Sequence, residues 1–384
     1  MITTRYLIVG GGMTGDAAVK GIREHDPDGS IVLVGAEPHP PYARPPLSKK
    51  LWSGGDEAKI WRGTEDAGAD LHLGRRIVSL DLDARTATDD AGQRYGWEKL
   101  LLATGGRPRT IPDSDGVIYF RTLEDYRSLR ARVQAGGSAV VIGGGFIGSE
   151  LAAALTTAGC RVTMVFPEPG IASRVLPAEL SAFVTEDYRR RGVEVLSGES
   201  VAAAGANVVT TGSGRTLRAD VVVAGLGLEP DVELAAAAGV PVDNGIVVDE
   251  FGRIGGRDEV FAAGDVASFP VAALGRRFRV EHEDHAKSHG RTVGANMAGA
   301  ESPYDHLPFF YSDMFDLGYE AVGEVDARLE TIESWEEQYR KGVVAYVDAA
   351  RRPRGYLFWN VWDQVERGRE LIRAQMPVGE AALA

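Results

Sequence analysis

YLIVGGGMTGDAA at residues 6–18 and AVVIGGGFIGSELAA at residues 139–153 are two copies of one pattern, with first glycines 133 residues apart. In each, a run of apolar residues meets G-x-G-x-x-G, which opens an alanine-rich segment with helical spacing. The chemistry of such a unit follows from its geometry. The first glycine (Gly10, Gly143) makes the tight turn after a strand, and the second (Gly12, Gly145) lets backbone approach a pyrophosphate. The third (Gly15, Gly148) packs helix on strand, and the helix N-terminus faces the anion. One such match is weak evidence. Two, each in strand–turn–helix context, predict two dinucleotide sites.

The elements around these turns fit that reading. Strand 5–9, a helix from 13 to about 25 and strand 31–34 make a first βαβ unit, with Ala17, Ala18 and Ile22 at helical spacing. Four prolines, Pro40, Pro41, Pro45 and Pro46, keep 39–47 from regular structure, and a helix is expected to start near Ser48. Short strands and turns follow over 70–97, then a buried strand at 100–103. A second unit holds a helix at 126–133, the second fingerprint, strand 162–165, helix 178–190 and strands at 193–196, from 201 and at 221–223. The chain then re-enters the first domain with strands 246–248 and 260–262. Past about Tyr311 the alternating segments 341–347 and 355–360 predict an antiparallel sheet, closed by a helix near 363–373. Residues from Pro377 are expected to be a loosely held tail. Residues 304–310, Trp359 and Trp362 are either interface or core, with core favoured.

At 384 residues, 44% hydrophobic and 25% charged, the chain can build two or three domains with their own cores. No apolar stretch approaches the roughly 18 residues of a membrane span, and the first residues run straight into a strand, so a cytoplasmic protein is expected. A net charge of −13 argues against a general nucleic-acid binder. The arginine clusters at 189–191, 276–279 and 351–354 read as solvated surface, and one of them could steer an acidic redox partner. The single cysteine, Cys160, excludes internal disulfides and reads as buried packing. His282, Glu283, Asp284 and His285 are consecutive, without zinc-ligand spacing, so no metal is expected.

Eight segments carry a resemblance: PPYARPPLSK at 40–49, LLATGGRPR at 101–109, GGGFIGSELA at 143–152, FPEPG at 166–170, GLEPDVELA at 227–235, AAGD at 262–265, RVEHEDHA at 279–286 and LGYEAVG at 317–323. Together they resemble the two-dinucleotide flavoprotein reductases of the glutathione-reductase fold, in particular apoptosis-inducing-factor-like proteins and the ferredoxin reductases that serve oxygenases. The resemblance implies an α/β fold of two Rossmann-like domains, the FAD domain discontinuous (1–112 and 244–311), an NAD(P) domain at 113–243, and a C-terminal α+β domain at 312–384 with an antiparallel sheet.

It also implies roles for single residues. Gly10, Gly11, Gly12 and Gly15 face the FAD pyrophosphate, Glu37 holds the adenosine ribose, Val78 pairs its backbone with the adenine, and Asp265 accepts from the ribityl chain. Arg44 and Lys49 fall where the family has residues beside the pyrophosphate and flavin. Gly143, Gly144, Gly145, Phe146, Ile147 and Gly148 form the NAD(P)H turn. Lys49 and Glu150 form the catalytic ion pair, each charge keeping the other ionised. Glu168 can bond both ribose hydroxyls of NADH and repel a 2′-phosphate, which favours NADH, although Arg174 could hold such a phosphate. Gly227, Glu281 and Glu320 match positions around the nicotinamide end. His282 either touches the isoalloxazine or supports it from behind, and Tyr311 stands where relatives often have tryptophan, able to stack and gate access.

Disulfide reduction needs a redox cysteine in 41–51, and there is none. The first expectation is therefore an enzyme passing a hydride from NADH to FAD and electrons onward to a [2Fe–2S] ferredoxin or rubredoxin. The second is a redox sensor whose long-lived charge-transfer complex of reduced flavin and NAD⁺ controls dimerisation or partner binding. Monomer and homodimer both stay open.

Overall fold

The computed structural model describes residues 1–379. Its contacts divide the chain into two compact units. The first is Met1–Ala43, Ala58–Arg107 and Glu229–Pro308, and the second is Arg44–Glu57, Pro108–Leu228 and Phe309–Ala384.

The first unit is built on a mostly parallel sheet in the order Arg253–Ile254, Arg257–Ala262, Arg94–Leu102, Ile2–Val9, Ile31–Gly35, Asp70–Leu73. Along this path only the outermost pair is antiparallel; two further strands of the sheet, Thr86–Asp89 on Arg94–Leu102 and Ile77–Asp81 on Thr86–Asp89, also pair antiparallel. Strands Ile2–Val9 and Ile31–Gly35 read as near-continuous apolar runs because a parallel sheet is covered on both faces. One cover is a pair of helices, Met13–His25 and Glu283–Met297, pressed together at glycines. A methyl on Gly294 would lie 2.2 Å from the Ala18 carbonyl oxygen, and one on Gly21 2.1 Å from that of Arg291. Tyr6, Ile8, Ala18, Ile22, Leu33, Leu101, Phe261 and Val293 fill the core between helices and sheet.

The second unit contains a five-stranded all-parallel sheet, ordered Glu194–Ser197, Arg161–Phe166, Ser138–Ile142, Val221–Ala224, Ile118–Tyr119. It also holds a five-stranded antiparallel sheet, Phe309–Met314, Leu317–Gly323, Pro353–Trp359, Lys341–Val347, Glu330–Glu337. Helix Val365–Ala374 is the last regular element among the described residues.

Residues 44–57 group by contacts with the second unit, where Trp52 meets Tyr126 edge-on at 5.6 Å and Tyr126 Oη donates to the Leu51 carbonyl at 3.3 Å. Three expectations change. The helix expected near Ser48 is only two 3₁₀ turns, Pro45–Leu47 and Lys50–Ser53, since four prolines in seven residues leave too few donors for a longer one. Trp359 is core, but Trp362 is 47% exposed, lying past the strand end on the irregular 360–364 segment. The segment from Pro377 is held at Val378, which is buried and exchanges two hydrogen bonds with Arg351; residues 380–384 lie outside the described residues.

Candidate active site

Both fingerprints sit where their strands end. In the first unit a methyl on Gly10 would lie 2.1 Å from the Ala103 carbonyl oxygen, and one on Gly15 2.3 Å from that of Gly10. The turn is therefore closed around bare backbone, with Gly10 at φ +128°, a region closed to residues with a side chain. Gly11 lies against Gly35, which ends the strand leading to Glu37, and the Gly264 turn lies against Thr14. Glu37 and Asp265 are thus carried to the rim of the same turn. Glu37 accepts from Tyr42 Oη at 2.6 Å, and the Asp265 carbonyl accepts from Arg279 at 3.2 Å. Val78 falls where the ladder shifts register between Ile77 and Ser79, so it has no cross-strand partner there. His282 is the N-cap of helix Glu283–Met297, and Glu281 is paired with Arg279 at 2.5 Å. Behind them His285 and His289 are buried against Phe269 and Tyr304. Burial pushes the His285 imidazole down to about 4.

The second unit repeats the turn. Methyls on Gly143 and Gly148 would lie 2.3 Å from the Gly225 and 2.0 Å from the Gly143 carbonyl oxygens, while Gly144 faces the Phe166 ring. Just past that strand, Glu168 accepts from Arg174 at 2.6 Å. Gly227, at φ +83°, follows the adjacent strand and accepts from the Arg109 amide at 3.0 Å. Phe146 packs edge-on against Phe310 at 5.3 Å, and Ile147 is partly exposed.

Helix Phe146–Thr157 also presents Glu150, and here the structure brings together residues from three parts of the sequence. Lys49 Nζ lies 3.2 Å from Glu150 Oε1 and 3.8 Å from the centre of the Tyr311 ring. Arg44, five residues before Lys49, donates instead to the Arg121 carbonyl at 2.8 Å. Glu320 accepts from the Asp363 amide at 3.1 Å, and burial pushes its carboxyl up. Sequence reading missed Ser48, Ser312 and Asp313, which also surround Lys49 and Glu150; hydroxyls in loops and strands carry no periodic signal, so only the fold could find them.

Two features test whether dinucleotides fit. A methyl on Gly12 or Gly145 would meet nothing within 4 Å, so the second glycine of each turn faces open space. Both are helix N-caps that lack a side-chain cap, leaving first-turn amides for an anion. The residues fit.

A family model described as pyridine nucleotide-disulphide oxidoreductase matches residues 4–290. The chain belongs to that family. It is an FAD-dependent NAD(P)H oxidoreductase. A second model, the C-terminal part of mitochondrion-associated apoptosis-inducing factor, matches residues 293–337. The chain is 32% identical to apoptosis-inducing factor 1 of Dictyostelium discoideum, over 96% of this chain and 78% of that protein. It is 37% identical to the ferredoxin–NAD(+) reductase component of the anthranilate 1,2-dioxygenase system of Burkholderia cepacia, over 85% and 84%. Its fold matches the reductase in the covalent putidaredoxin reductase–putidaredoxin complex with a TM-score of 0.92 and 29% identity, covering 100% of this chain and 96% of that one. Although the family is named for disulphides, this member's one cysteine, Cys160, is buried and donates to the Gln134 carbonyl. Among the described residues no helix is long and apolar enough to cross a membrane.

Proposed function

We propose that this chain oxidises NADH, in the cytoplasm, and passes the electrons singly to a small iron–sulfur carrier, a [2Fe–2S] ferredoxin or a rubredoxin, with no thiol relay. FAD, when bound, supplies the chemistry that links a two-electron donor to a one-electron acceptor. Residues 1–112 with 244–311 serve as the FAD domain, 113–243 as the NAD(P) domain and 312–384 as the C-terminal domain. Gly10, Gly11, Gly12 and Gly15 bind the FAD pyrophosphate, Glu37 and Val78 its adenosine, and Asp265 its ribityl chain. Gly143, Gly144, Gly145 and Gly148 bind the NADH pyrophosphate. Glu168 takes the ribose hydroxyls, and its pairing with Arg174 withdraws that arginine from a 2′-phosphate, which favours NADH over NADPH.

The observation that carries the reading is the Glu150 carboxylate, buried at the start of the second fingerprint helix with Lys49 at 3.2 Å. A lysine paired with such a carboxylate stabilises negative charge and orients a coenzyme; it does no thiol chemistry. The ferredoxin reductase names among the relatives support the acceptor class. Stopped-flow mixing with NADH and NADPH, followed by cytochrome c reduction with and without an added ferredoxin, tests it. Fast NADH oxidation coupled to cytochrome c only when ferredoxin is present is expected; equal rates without it refute the carrier.

A second reading has its own support in the match to the apoptosis-inducing-factor C-terminal part. There the chain is a redox sensor whose NADH-reduced form persists and changes its association. A long-wavelength absorbance band lasting minutes after NADH addition, with slow turnover for every carrier, favours it over the first.

A further inference from the structure

Glu150 is 5% exposed, yet its two oxygens accept two hydrogen bonds and face an ammonium. Ser48 Oγ donates to Oε2 at 2.6 Å, Ser312 Oγ donates to Oε1 at 2.7 Å, and Lys49 Nζ forms an ion pair with Oε1 at 3.2 Å. Both serines are buried as well. They come from distant places: Ser48 from the loop between two 3₁₀ turns, Ser312 from the edge strand Phe309–Met314 of the antiparallel sheet.

The same strand offers Lys49 a second set of partners. Its ammonium is 3.6 Å from Asp313 Oδ2, 3.4 Å from the Tyr311 carbonyl oxygen and 3.8 Å from the Tyr311 ring centre. Asp313 is 55% exposed at its side chain, whereas Lys49 is 13% exposed. Alternation along a strand turns Tyr311 and Asp313 to one face and Ser312 to the other. One edge strand therefore grips the buried carboxylate and also holds out a hydrated one to the same lysine.

We propose that Ser312, acting with Ser48, is a positioning residue that fixes the Glu150 carboxylate and so keeps Lys49 in an inner position, on Glu150, instead of an outer one, on Asp313. This rests on the role given above to the Lys49–Glu150 pair. The physical basis is the balance at a buried acid. Desolvation disfavours the anion, and hydrogen bonds to the anion oppose that penalty. Among the described residues, Tyr188 and Tyr319 also feel Glu150, both phenols driven far up by burial and therefore neutral. Without the two hydroxyls, Lys49 alone holds the carboxylate, and Asp313 competes for Lys49 in water, where its own charge costs little.

The test uses the flavin-loaded protein and its crystals. Wild type is expected to show a rate of flavin reduction by NADH that changes less than about twofold between pH 6 and 9. In Ser48→Ala/Ser312→Ala the rate falls about tenfold from pH 9 to pH 6, about threefold for each of the two lost hydrogen bonds, because the carboxylate they held as an anion now takes up a proton as pH falls. Ser312→Thr, which keeps the hydroxyl, restores the flat profile. Crystals of the double variant without coenzyme show Lys49 Nζ closer to Asp313 than to Glu150, and adding Asp313→Asn returns it. If the double variant does not fold, Ser312→Ala alone carries the test, with about a threefold fall over the same pH range. A flat double-variant profile with Lys49 still on Glu150, while Glu150→Gln is slow, overturns the positioning role alone. A Glu150→Gln protein as fast as wild type overturns the role of the pair and this inference with it.

Discussion

Helix Met13–His25 and helix Phe146–Thr157 begin from the same glycine turn, and each buries a carboxylate in its first turns. Asp16 directly follows its third glycine, whereas Glu150 stands two residues after Gly148. That offset changes what the acid meets. Asp16 has no exposed surface and is closed in by Arg62 at 2.6 Å, Lys20 at 2.9 Å and Thr64 at 2.8 Å, every partner belonging to the first unit's own framework. Glu150 meets two serines and a lysine that has a second anion within reach. The first arrangement ties the segment 62–64 to its helix. The second leaves one cation able to choose, which is what a site needs and a framework does not.

The comparison starts from equal closure of the two turns, and the largest expected effect tests that equality. Gly10→Ala and Gly148→Ala each force a methyl to about 2 Å from a carbonyl oxygen, so each is expected to cost more than about 4 kcal/mol, read as loss of soluble protein or of the cooperative urea transition. Tolerance of either change would mean that its turn is looser than its twin.

Next comes the division of labour between the acids. Asp16→Ala is expected to lower stability in urea by about 3 kcal/mol, since it strands two cations and a hydroxyl. Glu150→Gln is expected to lower it by less than about 1.5 kcal/mol while slowing flavin reduction about 100-fold, or some 2.7 kcal/mol at the barrier. The opposite pattern would reverse the assignment of framework and site.

A pH titration sharpens the contrast, because all seven histidines of the chain lie in the first unit. His285 is held down to about 4 by burial against an ordinary value of 6.5, and burial lowers His289 as well. Between those two pH values the unfolded chain binds more protons than the folded one, so stability is lost as pH falls from about 6.5 towards about 4. A loss of at least about 2.5 kcal/mol, the share of His285 alone, is expected, seen as flavin release and melting of the first unit at a pH where the second unit stays folded. Simultaneous melting of both units would break the contrast.

The smallest effect separates the ligands. Gly12→Ala and Gly145→Ala meet no protein atom, so stability should hold within about 0.5 kcal/mol. Gly12→Ala is expected to weaken FAD retention about tenfold and Gly145→Ala to weaken NADH binding about tenfold, measured by flavin dissociation and by titration. Crossed effects would exchange the two cradles.

What could be read directly from the letters was whatever depends on local geometry. Glycines with a fixed spacing after apolar runs announce strand–turn–helix units, because no other residue fits φ +128° at Gly10 or +115° at Gly143. Helix 178–190 and the antiparallel C-terminal sheet were legible for the same reason, their periods of 3.6 and 2 being properties of neighbouring residues. Lys49, Glu150 and Tyr311 could be named as site residues only through family resemblance, and their actual meeting came from the fold. Folding alone decided that residues 44–57 join the second unit, that Val378 is pinned by Arg351, and that Ser48 and Ser312 close on one carboxylate from 264 residues apart. Such contacts leave no trace in local periodicity, because a hydroxyl's partner is set by where the chain returns in space and not by its neighbours in sequence.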